Sequence, residues 1–302
     1  MTMESIRFGF LNEPLSVTWR GGTIKPLPNF EEIRSCLEQS PGVYGGWVYP
    51  PMRAVLGRGA ADKQAWVPGC FALPSSHCLT LKPEAPPAHS DFFILLFGFL
   101  NGRRLLREGW QHFYKTPIDR KLCDFWSNES SIAWALNKAS DFCAQHGSRD
   151  EVMKLAWGAL HWHTFAQLYE HEFERFDAQY KALDACYKLT LLTHNSFVKT
   201  NHATRAMRLC EHYSVEAPHW VVPTKISGKE TCELAERRNA LAHEAMYGGQ
   251  PLGFAHPPDQ GAVELGLKSL VSRLLLSALG MANDYTRSRS TTRQFFAFEK
   301  PN

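Results

Sequence analysis

The chain of 302 residues lacks the long apolar run that a membrane-spanning helix requires. Its longest uninterrupted stretch, FFILLFGFL at Phe92–Leu100, is about half of the ~20 residues needed to cross a bilayer. The later segment Val263–Tyr285 is longer but carries Glu264, Lys268 and Arg273, so it reads as a packed helix. The opening MTMESIRFGFLNEPL contains Glu4 and has no charged-then-apolar layout of a secretory leader. The expectation is a soluble, cytoplasmic protein with no membrane partner. The eight cysteines are scattered without a CxxC pair, which predicts reduced thiols, several of them acting as small buried hydrophobes. A strong charge imbalance is also missing. A net charge of +3 tolerates an anionic partner without demanding one. No Gly-rich loop follows a strand and no GxSxG occurs, which argues against a phosphate-loop hydrolase and a serine-triad enzyme. Internal repeats are absent as well.

What is present is 44% hydrophobic residues, enough to fill real cores, divided between two halves of different grammar. The first ~120 residues are punctuated by Gly and Pro, in WRGGTIKPLPN, SPGVYGGWVYPPM and PEAPPAHSD. Short β-rich runs lie between them at 5–10, 16–19, 43–49 and 77–82, with one small helix near Phe30–Gln39. FFILLFGFL is either a last buried strand or a short core helix, since periodicity does not separate the two. From about residue 124 the pattern becomes helical. Ser130–His146 repeats apolar residues at helical spacing, and SRDE at 148–151 is a capping-box pattern opening a helical stretch to about Thr193, as two helices. Asn201–Tyr213 is another helix. SGKE at 227–230 is a second capping-box pattern, predicted to start a helix ended by Gly248-Gly249. Ala262–Asp284 is the last long helix. The predicted fold is α+β, with an N-terminal β-containing domain over 1–122 and a C-terminal all-α bundle over 123–302.

Several segments compete as sites. In HWHTFAQLYEHEFERF (161–176) a metal would use His163 and His171 with a carboxylate. Eight residues on one helix place those two imidazoles some ~12 Å apart, too far for one ion, so neither a metal nor a cofactor is expected. The basic tail TRSRSTTR (286–293) reads as a solvated extension. Arg103, Arg104, Arg107, Trp110 and His112 interleave basic and aromatic groups, one signature of RNA contact. The remaining candidate is ELAERRNALAHEAMYGG (233–249). A bare Arg-x4-His carries little information, because Arg107–His112 repeats it in the same chain. An Asn directly after the Arg, in Arg238-Asn239-x3-His243, is far rarer.

On these residues the chain resembles the HEPN superfamily, compact α-bundles marked by an Arg-(Asn/Asp/His)-x3-His-like motif on a late helix. The succession of FERFDAQYKALDACYKL (173–189), the RNALAHE helix and a last long helix is also similar to the ApeA-like HEPN proteins of abortive-infection phage defence. The likeness covers about residues 125–290. It implies a metal-independent endoribonuclease that acts on RNA as a homodimer through the bundle, in a toxin or anti-phage setting. The N-terminal domain would then be the place for a regulatory ligand or trigger. The alternative within the same resemblance is a non-catalytic module that binds RNA, a nucleotide or a partner protein.

The residue types suit that chemistry. RNA is cut without metal when its own 2′-OH attacks the adjacent phosphorus. An imidazole, with an ordinary pKa near ~6.5, moves protons at neutral pH, which is the role expected of His243. Arg238 supplies fixed positive charge to the phosphoryl oxygens. Asn239, one helical turn before His243, orients the imidazole or holds a phosphate oxygen, and Arg237 is a further RNA-contact candidate. On an ideal α-helix Arg238 and His243 stand ~140° apart, so a second copy related by a two-fold axis is the expected way to bring an Arg and a His together. An inert reading competes: Leu234, Leu241, Ala242 and Ala245 form a buried stripe, and Glu233 pairs with Arg237.

Overall fold

In the computed structural model the described residues are 5–50, 69–82, 89–226, 228–253, 261–290 and 296–301. Ser227, residues 254–260 and residues 291–293 of the basic tail lie outside them. The chain divides into two compact units, Met1–Leu122 and Cys123–Asn302. The first contains sheets and the second is mainly helical.

In the first unit, alternating burial marks the strands β1 (Ser5–Gly9), β2 (Val17–Trp19) and β3 (Gly22–Pro26). The helix α1 (Phe30–Glu38) then leads to a hairpin of β4 (Val43–Tyr44) and β5 (Trp47–Val48). Gly45 and Gly46 turn that hairpin at φ of 59° and 83°, a conformation that a Cβ disfavours. After β6 (His77–Leu81) comes α2 (Ser90–Leu100), then β7 (Leu106–Arg107) and β8 (Thr116–Pro117). A five-stranded antiparallel sheet runs β2-β3-β6-β1-β7, and β4-β5-β8 form a second. Register pairs such as Ile6 with Leu79 and Phe8 with His77 put one face of the strands into the core.

The FFILLFGFL run is therefore a helix. Its core contacts include Phe97 edge-on to Phe8, with ring centroids 6.0 Å apart, and Phe93 at 5.7 Å from Trp19. Apolar residues surround this helix on every side because every side is buried, which is why it shows no amphipathic period. The basic-aromatic segment that follows belongs to the interior. Arg103, Arg104 and His112 are buried, and Arg104 Nη1 donates to His112 Nδ1 at 3.2 Å. Burial lowers the Arg104 pKa to about 10, and burial with the Arg104 charge lowers that of His112 to about 3. The reading of these three residues as an RNA-contact surface is corrected: they are internal polar groups, and only Trp110 and Arg107 of the set reach solvent.

The second unit begins with β9 (Phe125–Ser127) and α3 (Glu129–His146). Asn128 caps α3 by accepting from Ser131 N, and Ser131 Oγ accepts from Asn128 N in return. The SRDE box expected for the next helix does not form. The helix α4 (Asp150–Ala166) starts after Arg149 with no side-chain cap. The chain breaks at Gln167–His171, and α5 (Glu172–Thr193) packs extensively against α4. Asn201 caps α6 (His202–Tyr213) through Thr204 N. Where SGKE was expected to open a helix, β10 (Thr224–Ile226) and β11 (Lys229–Thr231) pair antiparallel instead. The helix α7 (Glu233–Asn239) then begins after Cys232 and passes into a π-helical turn, Ala240–Glu244. That turn ends at Ala245 in the left-handed region, with φ 52°. Gly248-Gly249 lies further on, between the strands β12 (Met246–Tyr247) and β13 (Gln250–Pro251). The helix α8 (Gly261–Ala278) is shorter than expected. Gly280 N–H bonds the Ser277 carbonyl and Met281 N–H that of Leu276, with Gly280 at φ 76°, a left-handed stop that satisfies the last carbonyls.

The C-terminal segment differs from a solvated extension. The helix α9 (Asp284–Arg287) and the strand β14 (Phe296–Phe298) fold back, and β14 pairs parallel with β9. Among the described residues the second unit is thus a helical core with three two-stranded ribbons, not an all-α bundle. Its centre is built from Phe176, Leu183, Leu209, Trp220, Leu234, Tyr247, Leu267 and Leu274. A buried polar network sits beside it. Arg273, 1% exposed, reaches Asp124 Oδ2 at 3.1 Å. Tyr285 Oη and Ser269 Oγ donate to the same carboxylate at 2.6 Å each. No described helix is long and apolar enough to cross a membrane.

Candidate functional site

Leu234 and Ala235 anchor α7 in the core, which leaves its opposite side at the surface. Arg237 is spent locally. Its Nη2 donates to Glu233 Oε1 at 2.8 Å, one turn back, the i,i+4 pairing of an ordinary helix surface. Arg238, half-buried, points elsewhere. Its Nη1 lies 3.0 Å from Asn239 Oδ1 and 3.2 Å from His243 Nε2. A guanidinium only donates, so His243 Nε2 accepts this bond and the imidazole carries its proton on Nδ1. Asn239 and His243 are exposed. The three motif residues form one hydrogen-bonded group on an accessible rim.

A π turn, Ala240–Glu244, separates Arg238 from the end of the helix and contains His243. Its bonds run from i to i+5, as in Ala245 N–H to the Ala240 carbonyl. Adding a residue to the turn carries position i+5 back over position i, whereas an α-helix would leave it ~140° away. Arg238 is in the α-helical part and His243, five positions on, lies inside the π turn. The angular reason for requiring a second copy therefore falls away, because one chain joins its own Arg and His. The stripe of an inert helix is corrected too. Leu234 is buried and Leu241 partly so, but Ala242 and Ala245 are exposed, so the last turn carries no buried apolar face of its own.

A second polar pair lies nearby that the sequence did not disclose. Tyr180 Oη, on α5, is 2.7 Å from Nδ1 of His202, the first residue of α6. Arg238 is near enough to act electrostatically on both groups, and α6 packs against α7. Burial is the main cause lowering the His202 pKa, with Arg205 and Arg238 adding to it. Burial likewise raises that of Tyr180, which keeps its hydroxyl protonated. The carboxylate of Asp184 is paired with Arg205 and, at 3.3 Å, with Lys188. Around His202 stand three cations and one acid, a local balance suited to an anion. No sequence spacing links Tyr180, His202 and Arg238, because they come from three elements.

The His-rich segment 161–176 is divided by the break between α4 and α5. His163 is buried, with Nδ1 3.0 Å from Gln179 Oε1, while His171 sits exposed at the start of α5. Burial lowers the His163 pKa to about 4, so it is a neutral core histidine. Among the described residues no three His, Cys, Asp or Glu side chains are grouped to hold a metal ion. In the basic tail, Arg289 pairs with Glu216 at 3.2 Å.

Compared with known proteins, the chain matches no family model, no curated protein and no solved structure. The resemblance to HEPN proteins therefore rests on Arg238, Asn239 and His243 and on the helix-rich unit that carries them.

Proposed function

We propose that the C-terminal unit, Cys123–Asn302, is a HEPN-like, metal-independent endoribonuclease. The observation that carries this reading is the contact of Arg238 Nη1 with both His243 Nε2 and Asn239 Oδ1 on an exposed rim. An RNA phosphate approaching that rim competes for the guanidinium, which binds phosphoryl oxygens with two parallel donors. Engagement of Arg238 releases His243 Nε2 for proton transfer. The 2′-oxygen then bonds to phosphorus, the P–O5′ bond breaks, and the products carry a 2′,3′-cyclic phosphate and a 5′-hydroxyl. Arg238 stabilises the charge that builds on the phosphoryl oxygens. Asn239 holds the guanidinium and so the geometry of the pair. A cytoplasmic toxin or anti-phage effector, working as a homodimer and restrained through the N-terminal unit, is the setting the resemblance supports.

A second reading has one observation of its own. In the resting contact Arg238 occupies the His243 lone pair that proton transfer needs, as suits a module that binds RNA, a nucleotide or a partner protein without turnover. Incubation of RNA with the full chain in excess EDTA separates the two. The nuclease reading expects cleavage that is lost in His243→Ala at unchanged melting temperature. RNA retained on the protein but left intact, with binding lost in Arg238→Ala, supports the module instead.

A further inference from the structure

Cleavage by 2′-OH attack moves two protons, one from the 2′-oxygen and one to the departing 5′-oxygen, and the motif contains a single imidazole. The second is supplied by the fold. His202 opens α6, its ring lies 6.0 Å from that of Tyr180, and its Nδ1 is 2.7 Å from Tyr180 Oη. That bond fixes the ring and leaves Nε2 available. A base oriented in this way by a third group is the arrangement that activates an oxygen nucleophile.

Resting on the nuclease reading, we propose that His202 is the second proton-transfer residue of the same site. His202 Nε2 takes the proton from the attacking 2′-OH, and His243 delivers one to the 5′-oxygen. The groups facing His202 agree with this division. Tyr180, Asp184 and Lys188 come from α5, Arg205 from its own helix and Arg238 from α7. Arg205 stacks on the Tyr187 ring at 4.3 Å and pairs with Asp184, and Lys188 takes the other Asp184 oxygen. Asp184 favours the imidazolium, but burial and the charges of Arg205, Arg238 and Lys188 outweigh it and favour the neutral ring with its lone pair. Tyr180 Oη and His202 Nδ1 share one hydrogen bond, and the tautomer with its proton on Nδ1 is the one that places the lone pair on Nε2. On the other side, a phosphodiester that draws Arg238 away frees His243 Nε2.

The step balances without oxidant, reductant or water. O2′–P forms as P–O5′ breaks, one proton passes to His202 and one leaves His243, and exchange with solvent resets both rings. Tyr180 acts through His202 and is a positioning residue.

The test uses the full chain and two short RNAs, one natural and one with sulfur in place of the bridging 5′-oxygen at a single site. A thiolate leaves without a proton, so this substrate does not need an acid. His243→Ala should cut natural RNA ~10²–10⁴-fold more slowly and cut the sulfur substrate at close to the wild-type rate. His202→Ala should be slowed on both substrates. Tyr180→Phe should be slowed on both to a smaller extent. His202→Gln, which keeps the size of the side chain, replaces the alanine variant if that one melts early. Natural RNA cut by the His202 variants at the wild-type rate overturns the proposal and leaves the nuclease reading intact. So does rescue of those variants by sulfur, which would make His202 the acid. A wild type that cuts neither substrate overturns the nuclease reading itself.

Discussion

Replacing Arg273 with Met tests how the C-terminal unit is held together. Arg273 is 1% exposed and every arm of its guanidinium is used. Nη1 reaches Asp124 Oδ2 at 3.1 Å and the Ser269 carbonyl at 3.0 Å, Nε reaches the Ser288 carbonyl at 3.0 Å, and Nη2 reaches Ser288 Oγ at 2.9 Å. It joins Asp124 just before β9, α8 and the segment after α9 at one point. Met keeps most of the apolar stem but removes five donors, leaving the Asp124 carboxylate and three carbonyls, of Ser269, Ser288 and Arg289, without their cation. Breaking one side of a buried pair costs about 3–5 kcal/mol. Asp124 keeps its bonds from Tyr285 and Ser269 and part of its solvent contact, which puts the expected loss near the lower end, ~3 kcal/mol. In a unit of this size each kcal/mol lowers Tm by about 2–4 °C, so a fall of roughly 6–12 °C is expected by scanning calorimetry. The double variant Arg273→Met with Asp124→Asn should recover part of it, because no unpaired charge remains. The carboxylate adds a pH signature. Burial pushes its pKa up, but the Arg273 charge and the bonds from Ser269 and Tyr285 outweigh that and hold it below the ordinary value. Its stabilisation is present above ~3.9 and disappears as pH falls through the depressed value. A Tm change under ~2 °C for Arg273→Met would refute the assignment of this network as a structural anchor.

Three further outcomes follow from particular groups. His163 is held neutral by burial, with its pKa near 4 against an ordinary 6.5. The unfolded chain therefore binds a proton first, and stability should fall as pH drops from ~6.5 toward 4, by about 3 kcal/mol at most. His163→Gln should flatten that slope in urea titrations at pH 7 and pH 5. Arg237→Ala should leave RNA cleavage within about two-fold of wild type, because its guanidinium serves Glu233, while Arg238→Ala should lower the rate by ~10²–10³-fold. Ala245→Gly should match or exceed wild-type stability by up to ~1 kcal/mol in denaturant melts, since Ala245 holds a positive φ at which glycine has no Cβ penalty.

Much of the architecture was legible in residue order because its causes are local. Alternation along SIRFGF and HCLTLK, the helix opening near Asn201 and the apolar period of 130–146 each act within a few residues. The parts that escaped are decided by distant partners. SRDE and SGKE have the composition of capping boxes, yet Arg149 starts α4 without a cap and Lys229–Thr231 pairs across a hairpin. FFILLFGFL loses its period because it is buried on all sides. At the site, the identities of Arg238, Asn239 and His243 could be read, but their meeting could not. Ala240-Leu241-Ala242 suits an α-helix as well as a π turn, and the turn leads into Ala245 and a hairpin whose Tyr247 is fully buried against Phe176. Tyr180 and His202 are 22 positions apart in sequence, and only the packing of α5 beside α6 makes them a pair.

The central claim is that this chain cuts RNA with the RNA's own 2′-hydroxyl, through Arg238 and His243. The most direct measurement is mass spectrometry of the products from a short RNA in EDTA, compared with the same RNA carrying one 2′-deoxy nucleotide at the cut position. The account predicts a 2′,3′-cyclic phosphate on the natural strand, no cut at the deoxy position, and neither product with His243→Ala. Cleavage that persists at the deoxy position, or an intact natural strand with wild-type protein, would contradict it.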